Sequence, residues 1–92
     1  MTTAEQHTVD TSQLPELIAG FYRETLGDTT LDTTSDFFET GGDSLAAFQI
    51  IARLQDTLHT ELPVVLIFTY PSPAELAEVL AADLADRAAE QV

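Results

Sequence analysis

The chain has 92 residues, sixteen acidic against three basic, and a formal net charge of −13 at pH 7. That length gives one small domain, burying roughly 60–65% of its unfolded surface, with a modest core and no room for a deep catalytic cleft. The absence of cysteine excludes a disulfide framework and a thiolate metal site, and a chain whose only cations are Arg23, Arg53 and Arg87 is unsuited to nucleic acid or an anionic membrane. A basic protein surface is the expected counterpart. No run reaches the ~20 apolar residues of a membrane span, and the N-terminus has no basic, apolar signal pattern. A cytoplasmic, free-standing protein is expected.

Met1–Thr11 is polar, threonine-rich and aperiodic, and reads as a disordered lead-in. The domain proper is expected over residues 12–87. Leu14, Leu17, Ile18, Phe21 and Thr25/Leu26 follow one helical stripe. Ser12 as N-cap, Pro15 in the first turn and Gly27 as C-cap bound a helix over Gln13–Leu26.

Asp28–Asp43 is a long polar connection, with Leu31, Phe37 and Phe38 as apolar anchors expected to tuck into the core. Asp28, Asp32, Asp36 and Glu39 fit positions 1, 5, 9 and 12 of a calcium-loop frame, but Thr33 stands where its glycine is needed. The spacing reflects the chain's acidity, and no metal site is expected.

The loop ends in Phe37-Phe38-Glu39-Thr40-Gly41-Gly42-Asp43-Ser44-Leu45. A serine opening a helix beside two glycines is within reach of another protein's active site. The unpaired amides and positive dipole end of a helix favour an anionic substituent there, such as a phosphate ester. A plain helix cap by Asp43 or Ser44 after a glycine turn fits the same letters.

Ser44–Leu58 is the second helix. Ala47, Ile51, Leu54 and Leu58, flanked by Phe48 and Ile50, form its core face. Leu45, Ala46, Gln49, Ala52, Arg53 and Asp56 lie opposite, a face with only two charges and a docking surface by its small apolar side chains. Val64–Phe68 has strand composition but no second strand to pair with, so a short helical turn is expected. Pro71-Ser72-Pro73-Ala74-Glu75 starts the last helix, with Ser72 as N-cap, Pro73 at N1 and Glu75 completing a capping box. Leu76, Ala77, Leu80 and Leu84 stripe that helix to Arg87, and residues 88–92 are expected to fray. The fold class is all-α: a small four-helix bundle of three main helices and one short one, with a long loop between the first two.

From Gln13 to Arg87 this pattern resembles the peptidyl carrier (thiolation) proteins of nonribosomal peptide synthesis, within the wider acyl carrier protein-like family. Gly41-Gly42-Asp43-Ser44-Leu45, together with Glu61-Leu62-Pro63-Val64 and Pro71-Ser72-Pro73-Ala74-Glu75-Leu76-Ala77, carries the resemblance. It implies that Ser44 is the attachment point of 4′-phosphopantetheine taken from coenzyme A. It also implies that Gly42, Asp43 and Leu45 belong to the motif read by partners. The low-charge face of the second helix then makes Leu45, Ala46, Gln49, Ala52 and Arg53 the expected partner interface, with Val65 bordering the same apolar patch. The implied partners are a phosphopantetheinyl transferase, an adenylation enzyme and condensation or tailoring enzymes. The protein itself would be a non-catalytic monomer presenting an aminoacyl, peptidyl or aryl thioester. Thr40 departs from the family, which often has a large apolar residue there.

Three other readings stand beside this one. An acyl carrier of polyketide or fatty-acid synthesis has a bulkier residue before the Asp-Ser pair and a more acidic second helix. An unmodified acidic interaction module fits the charge alone. Gly42-Asp43-Ser44-Leu45 also spells the motif of a lipase and esterase family, with Asp56-Thr57-Leu58-His59 as its later Asp-x-x-His. However, Ser44 and His59 at opposite ends of one helix stand about 22 Å apart, whereas nucleophile and base need contact near ~3 Å.

Overall fold

The computed structural model describes the backbone of residues 11–90 and the side chains of residues 11–86. Most of the expected lead-in, up to Asp10, lies outside the described residues, as do Gln91 and Val92. Four α-helices build the fold: α1 (Leu14–Leu26), α2 (Ser44–Leu58), α3 (Val65–Thr69) and α4 (Pro73–Glu90). Among the described residues there is no strand, and the Val64–Phe68 run supplies α3, the expected short helix. The result is the expected all-α bundle of three main helices and one short one.

Local chemistry sets most helix ends. Pro15 sits in the first turn of α1, and Gly27 ends that helix in the left-handed region at φ 69°, its N–H donating to the Arg23 carbonyl. Ser72 Oγ accepts the Glu75 N–H at 3.2 Å and its hydroxyl donates to Glu75 Oε1 at 3.1 Å, so the capping box before α4 forms. Ser12 is not the cap of α1. It lies in a 3-10 turn over Thr11–Gln13, and Gln13 takes the cap position without a side-chain hydrogen bond. The tighter turn leads into the helix in place of a side-chain cap. At the other end α4 runs on through Ala88 and Ala89 to Glu90, as suits alanine, the strongest helix former.

α1 is the central element, packed against both α2 and α4. That double contact rotates its buried arc away from the expected stripe. Leu14, Ile18, Ala19 and Tyr22 are buried, whereas Leu17 and Phe21 are only half-covered. Tyr22 is admitted to the core because its hydroxyl finds a partner there. It donates to the Pro71 carbonyl at 2.8 Å, and the same carbonyl accepts the Phe37 N–H at 2.8 Å. One oxygen thus joins α1, the long loop and the segment leading into α4.

Phe37 and Leu31 are buried loop anchors, as expected, but Phe38 is not: it is 55% exposed. Phe37 fills the space beneath the loop, edge-on to Tyr22 at 5.8 Å between ring centroids. The next side chain along the turn must then point out, and Phe38 stacks instead on Phe68 of α3, at 5.9 Å and 26°.

Burial, and next the negative charges of Asp36 and Glu75, hold the Tyr22 phenol well above its ordinary pKa of 10.0. The folded state therefore keeps a proton that the unfolded chain releases near pH 10. This stabilisation is complete below pH 10 and is lost as the pH rises above it. Tyr22→Phe is expected to cost about 1 kcal/mol at pH 7 through the missing hydrogen bond. Urea unfolding at pH 7 and pH 11 should show the gap between variant and wild type narrowing at the higher pH. A gap unchanged by pH would contradict this account.

Candidate functional site

The long loop is built from repeated aspartate turns. Asp28 Oδ1 accepts the Thr30 N–H at 3.0 Å and the Thr30 hydroxyl at 2.6 Å. Asp32 Oδ1 does the same for Thr34, at 2.9 and 2.8 Å. Asp36 Oδ1 accepts the N–H groups of Phe38 and Glu39 at 2.8 and 3.1 Å. The four-residue acid spacing that mimicked a calcium frame is a turn-forming device. Hydrogen bonds from Thr30 and Thr34 hold the Asp28 and Asp32 carboxyls below their ordinary pKa. Among the described residues no three His, Cys, Asp or Glu side chains converge on a common point.

The last turn delivers Ser44. The Phe37 carbonyl accepts both the Gly42 N–H at 3.0 Å and the Thr40 hydroxyl at 2.8 Å. The Thr40 N–H returns to the Asp36 carbonyl at 3.1 Å. Gly41 takes φ 86°, a conformation that side-chain-bearing residues rarely adopt. Gly42 serves packing instead: a β-carbon there would stand 2.6 Å from Phe37 Cε2 and nearer still to Cζ. Asp43 is extended, at φ −132° and ψ −176°, and its carboxylate accepts the Ala46 N–H at 2.9 Å. It is the N-cap of α2. Ser44 follows as the first helical residue, with its side chain exposed. The first rung of the α2 ladder is Ala47 N–H to the Asp43 carbonyl, at 2.9 Å. The Ser44 and Leu45 amides precede that rung, at the positive end of a fifteen-residue helix. An exposed hydroxyl at such an end fits a covalently held phosphodiester.

The residues expected at an interface are divided by the structure. Leu45 and Val65 are 66% and 54% exposed, and Gln49, Ala52 and Arg53 are exposed on the same outer side of α2 as Leu45. Ala46, expected with them, is buried in the row of Ile50 and Leu54, four and eight residues on, and not exposed beside Leu45. Phe48, expected beside the core, is 59% exposed. Three residues after Leu45, it shares that residue's face, a spacing present in the sequence all along. Arg53 pairs with Glu24 and lies over the Phe21 ring, 5.7 Å from its centroid, so it also ties α2 to α1. His59 ends α2 at its far end from Ser44, in a left-handed cap at φ 53°.

The two glycines therefore fail differently when replaced. Gly42→Ala should cost about 3 kcal/mol, because the aromatic ring beneath must shift. Gly41→Ala, with open space around it, should cost about 1 kcal/mol of backbone strain. Thermal denaturation of both, and of Gly42→Ala combined with Phe37→Leu, checks the assignment. The smaller side chain at 37 should recover part of the Gly42→Ala loss and none of the Gly41→Ala loss.

Known proteins carry the same pattern. Residues 16–80 match the family described as "Phosphopantetheine attachment site". The probable non-canonical nonribosomal peptide synthetase CymA of Salinispora arenicola is 40% identical over 73 residues, which are 79% of this chain and 1% of that protein. A free-standing peptidyl carrier protein of Acinetobacter baumannii superposes with a TM-score of 0.75 at 27% identity, covering 82% of this chain and 96% of that one. A chain in the complex of the phosphopantetheine transferase Sfp with coenzyme A and a peptidyl carrier protein superposes at 0.70 and 26% identity, covering 75% of this chain and 90% of that one. This chain thus spans a very small part of the synthetase and nearly all of the free-standing carrier. It belongs to the phosphopantetheine attachment site family, and within that family it is a homologue of the peptidyl carrier domains of nonribosomal peptide synthesis.

Proposed function

We propose that Ser44 is the residue that carries 4′-phosphopantetheine, and that the chain presents an aminoacyl, peptidyl or aryl group to successive biosynthetic enzymes without catalysing a reaction itself. The observation that supports this best is the exposed Ser44 residue at the amide end of α2, held there by a hydrogen-bonded turn. The other three serines are placed differently. Ser72 is buried in its capping box, Ser35 is bonded into the Asp32 turn, and Ser12 sits at the start of α1. In the loading step Ser44 Oγ forms a bond to the phosphorus of the pantetheine arm, the pyrophosphate bond of coenzyme A breaks, and the adenosine bisphosphate leaves. The serine proton goes to a base on the transferase, since the only histidine among the described residues, His59, is at the other end of α2. Once attached, the arm supplies a thiol, and hence thioester chemistry, to a protein that has no cysteine of its own. Ser44 and the α2 amides hold the phosphodiester, and tethering raises the effective concentration of the cargo.

The partners we assign are a phosphopantetheinyl transferase, an adenylation enzyme and a condensation or tailoring enzyme. Leu45 and Phe48 on α2 and Val65 on α3 are the apolar residues they would meet first, with Gln49, Ala52 and Arg53 alongside. The net charge of −13 favours partners with basic surfaces. Among the described residues no helix is long and apolar enough to cross a membrane. We place the protein in the cytoplasm, as a monomer. The acyl carriers of polyketide and fatty-acid synthesis are the nearest alternative. The Gly41-Gly42 pair and the sparse charge on α2 favour the peptidyl kind.

Incubation with coenzyme A and a broad-specificity phosphopantetheinyl transferase should add the mass of one phosphopantetheinyl group, and Ser44→Ala should abolish the gain. No gain with several transferases would favour an unmodified interaction module. Leu45→Asp and Val65→Asp should each lower the efficiency of loading by about tenfold while the circular dichroism spectrum stays helical. Unchanged loading kinetics and unchanged affinity for an adenylation enzyme would remove both residues from the interface.

A further inference from the structure

Thr40 is the residue of the motif that the family pattern does not account for, and its hydroxyl has a definite task. The turn from Asp36 to Gly42 is closed by bonds to Asp36 and to Phe37, and of these two Phe37 is the one buried in the core. The N–H of Phe37 is bound to the Pro71 carbonyl at 2.8 Å, and its ring is buried beneath Gly42. Its carbonyl is the remaining point of attachment, and two donors share it: the Gly42 N–H at 3.0 Å and the Thr40 hydroxyl at 2.8 Å. Between those donors lies Gly41, in the left-handed region and with nothing within 4 Å of where its side chain would be. Packing does not hold the turn at that point. Hydrogen bonds do so: the Gly41 N–H to the Phe38 carbonyl at 3.3 Å, and the Thr40 hydroxyl before it and the Gly42 N–H after it to the Phe37 carbonyl. Ser44 is two residues further on.

We propose that Thr40 is a positioning residue for the loading of Ser44: its hydroxyl, by clamping the Phe37 carbonyl, keeps the glycine turn in the one arrangement that presents Ser44 at the start of α2. The inference rests on the assignment of Ser44 as the attachment point. It goes further in giving a side chain that never touches the transferred group a share in how readily that group is received. Only the fraction of molecules with the turn closed is competent to bind the transferase, so opening the turn raises the apparent KM for the carrier in inverse proportion to that fraction. The turnover of carrier already bound is unaffected. A hydrogen bond of ordinary net worth changes the closing equilibrium roughly 2- to 10-fold, and that factor is the ceiling on the rise in KM.

The test uses the whole chain and two variants. Thr40→Val removes the hydroxyl and keeps the shape of the side chain, and Thr40→Ser keeps the hydroxyl. Steady-state transfer from coenzyme A by a broad-specificity transferase should show KM raised measurably, by up to about 10-fold, in Thr40→Val, kcat within twofold of wild type, and both values restored in Thr40→Ser. Amide hydrogen exchange at Gly42 should be faster in Thr40→Val and normal in Thr40→Ser. Three results would overturn the proposal while leaving the assignment of Ser44 intact: wild-type loading with KM unchanged in Thr40→Val, a loss confined to kcat, or no rescue by serine. A wild-type chain that accepts no phosphopantetheine would overturn both.

Discussion

The arrangement around Ser44 depends on the Pro71 carbonyl. It accepts the Tyr22 hydroxyl from α1 and the Phe37 N–H from the long loop, both at 2.8 Å. Tyr22 and Phe37 are both buried, so these bonds are partly shielded from water, and their rings meet edge-on at 5.8 Å. With Phe37 fixed at its N–H and its ring, its carbonyl direction is fixed too, and that carbonyl closes the glycine turn. The orientation of an exposed serine is thereby traced to a buried bond on the far side of an aromatic ring. A polar group in so small a core is costly unless paired, and here every one is: no buried side-chain nitrogen or oxygen among the described residues is without a partner.

The parts of this arrangement that were legible in the sequence are those decided by near neighbours. The extent of α2, the glycine that ends α1 and the capping box of α4 follow from residues within four positions of one another, whereas the short helix at Val65–Thr69 follows from the lack of any second strand to pair with. The candidate site itself is local, since Asp43, Ser44 and the two glycines are adjacent. What could not be read was decided by contacts distant in sequence. Phe37 and Phe38 are chemically identical neighbours, and only the Pro71 bond and the empty Cβ position of Gly42 select Phe37 for burial. Phe21 and Tyr22 pose the same problem on α1, settled in favour of Tyr22 by that same Pro71 oxygen, 49 residues away in sequence. Ala46 and Phe48 exchange their expected places on α2 because its buried arc, at Ala46, Ala47, Ile50, Ile51, Leu54 and Leu58, is wider than one row. The small residue fits the tight side, and the large one is left for the surface.

That surplus of exposed apolar area is informative in a chain so acidic. Phe38, Leu45, Phe48, Val65 and Phe68 all show more than a third of their surface. They belong to α2, which Ser44 opens, to the loop that leads up to it, and to α3, whose Phe68 packs on Phe37 and Phe38 of that loop. α1 and α4 show no exposed large apolar side chain among the described residues. A charge of this sign and size favours proteins with basic surfaces as partners, and the apolar residues would act once such a partner is in contact. Such a division suits a protein that must be met and released by several enzymes in turn.

The central claim is that a single, structurally prepared serine receives the phosphopantetheine arm. The most direct measurement is fragmentation mass spectrometry of the chain after reaction with coenzyme A and a transferase, which locates the added group along the sequence. The account predicts that every modified fragment contains Ser44. Modification at Ser12, Ser35 or Ser72, or at any threonine of the loop, would contradict it.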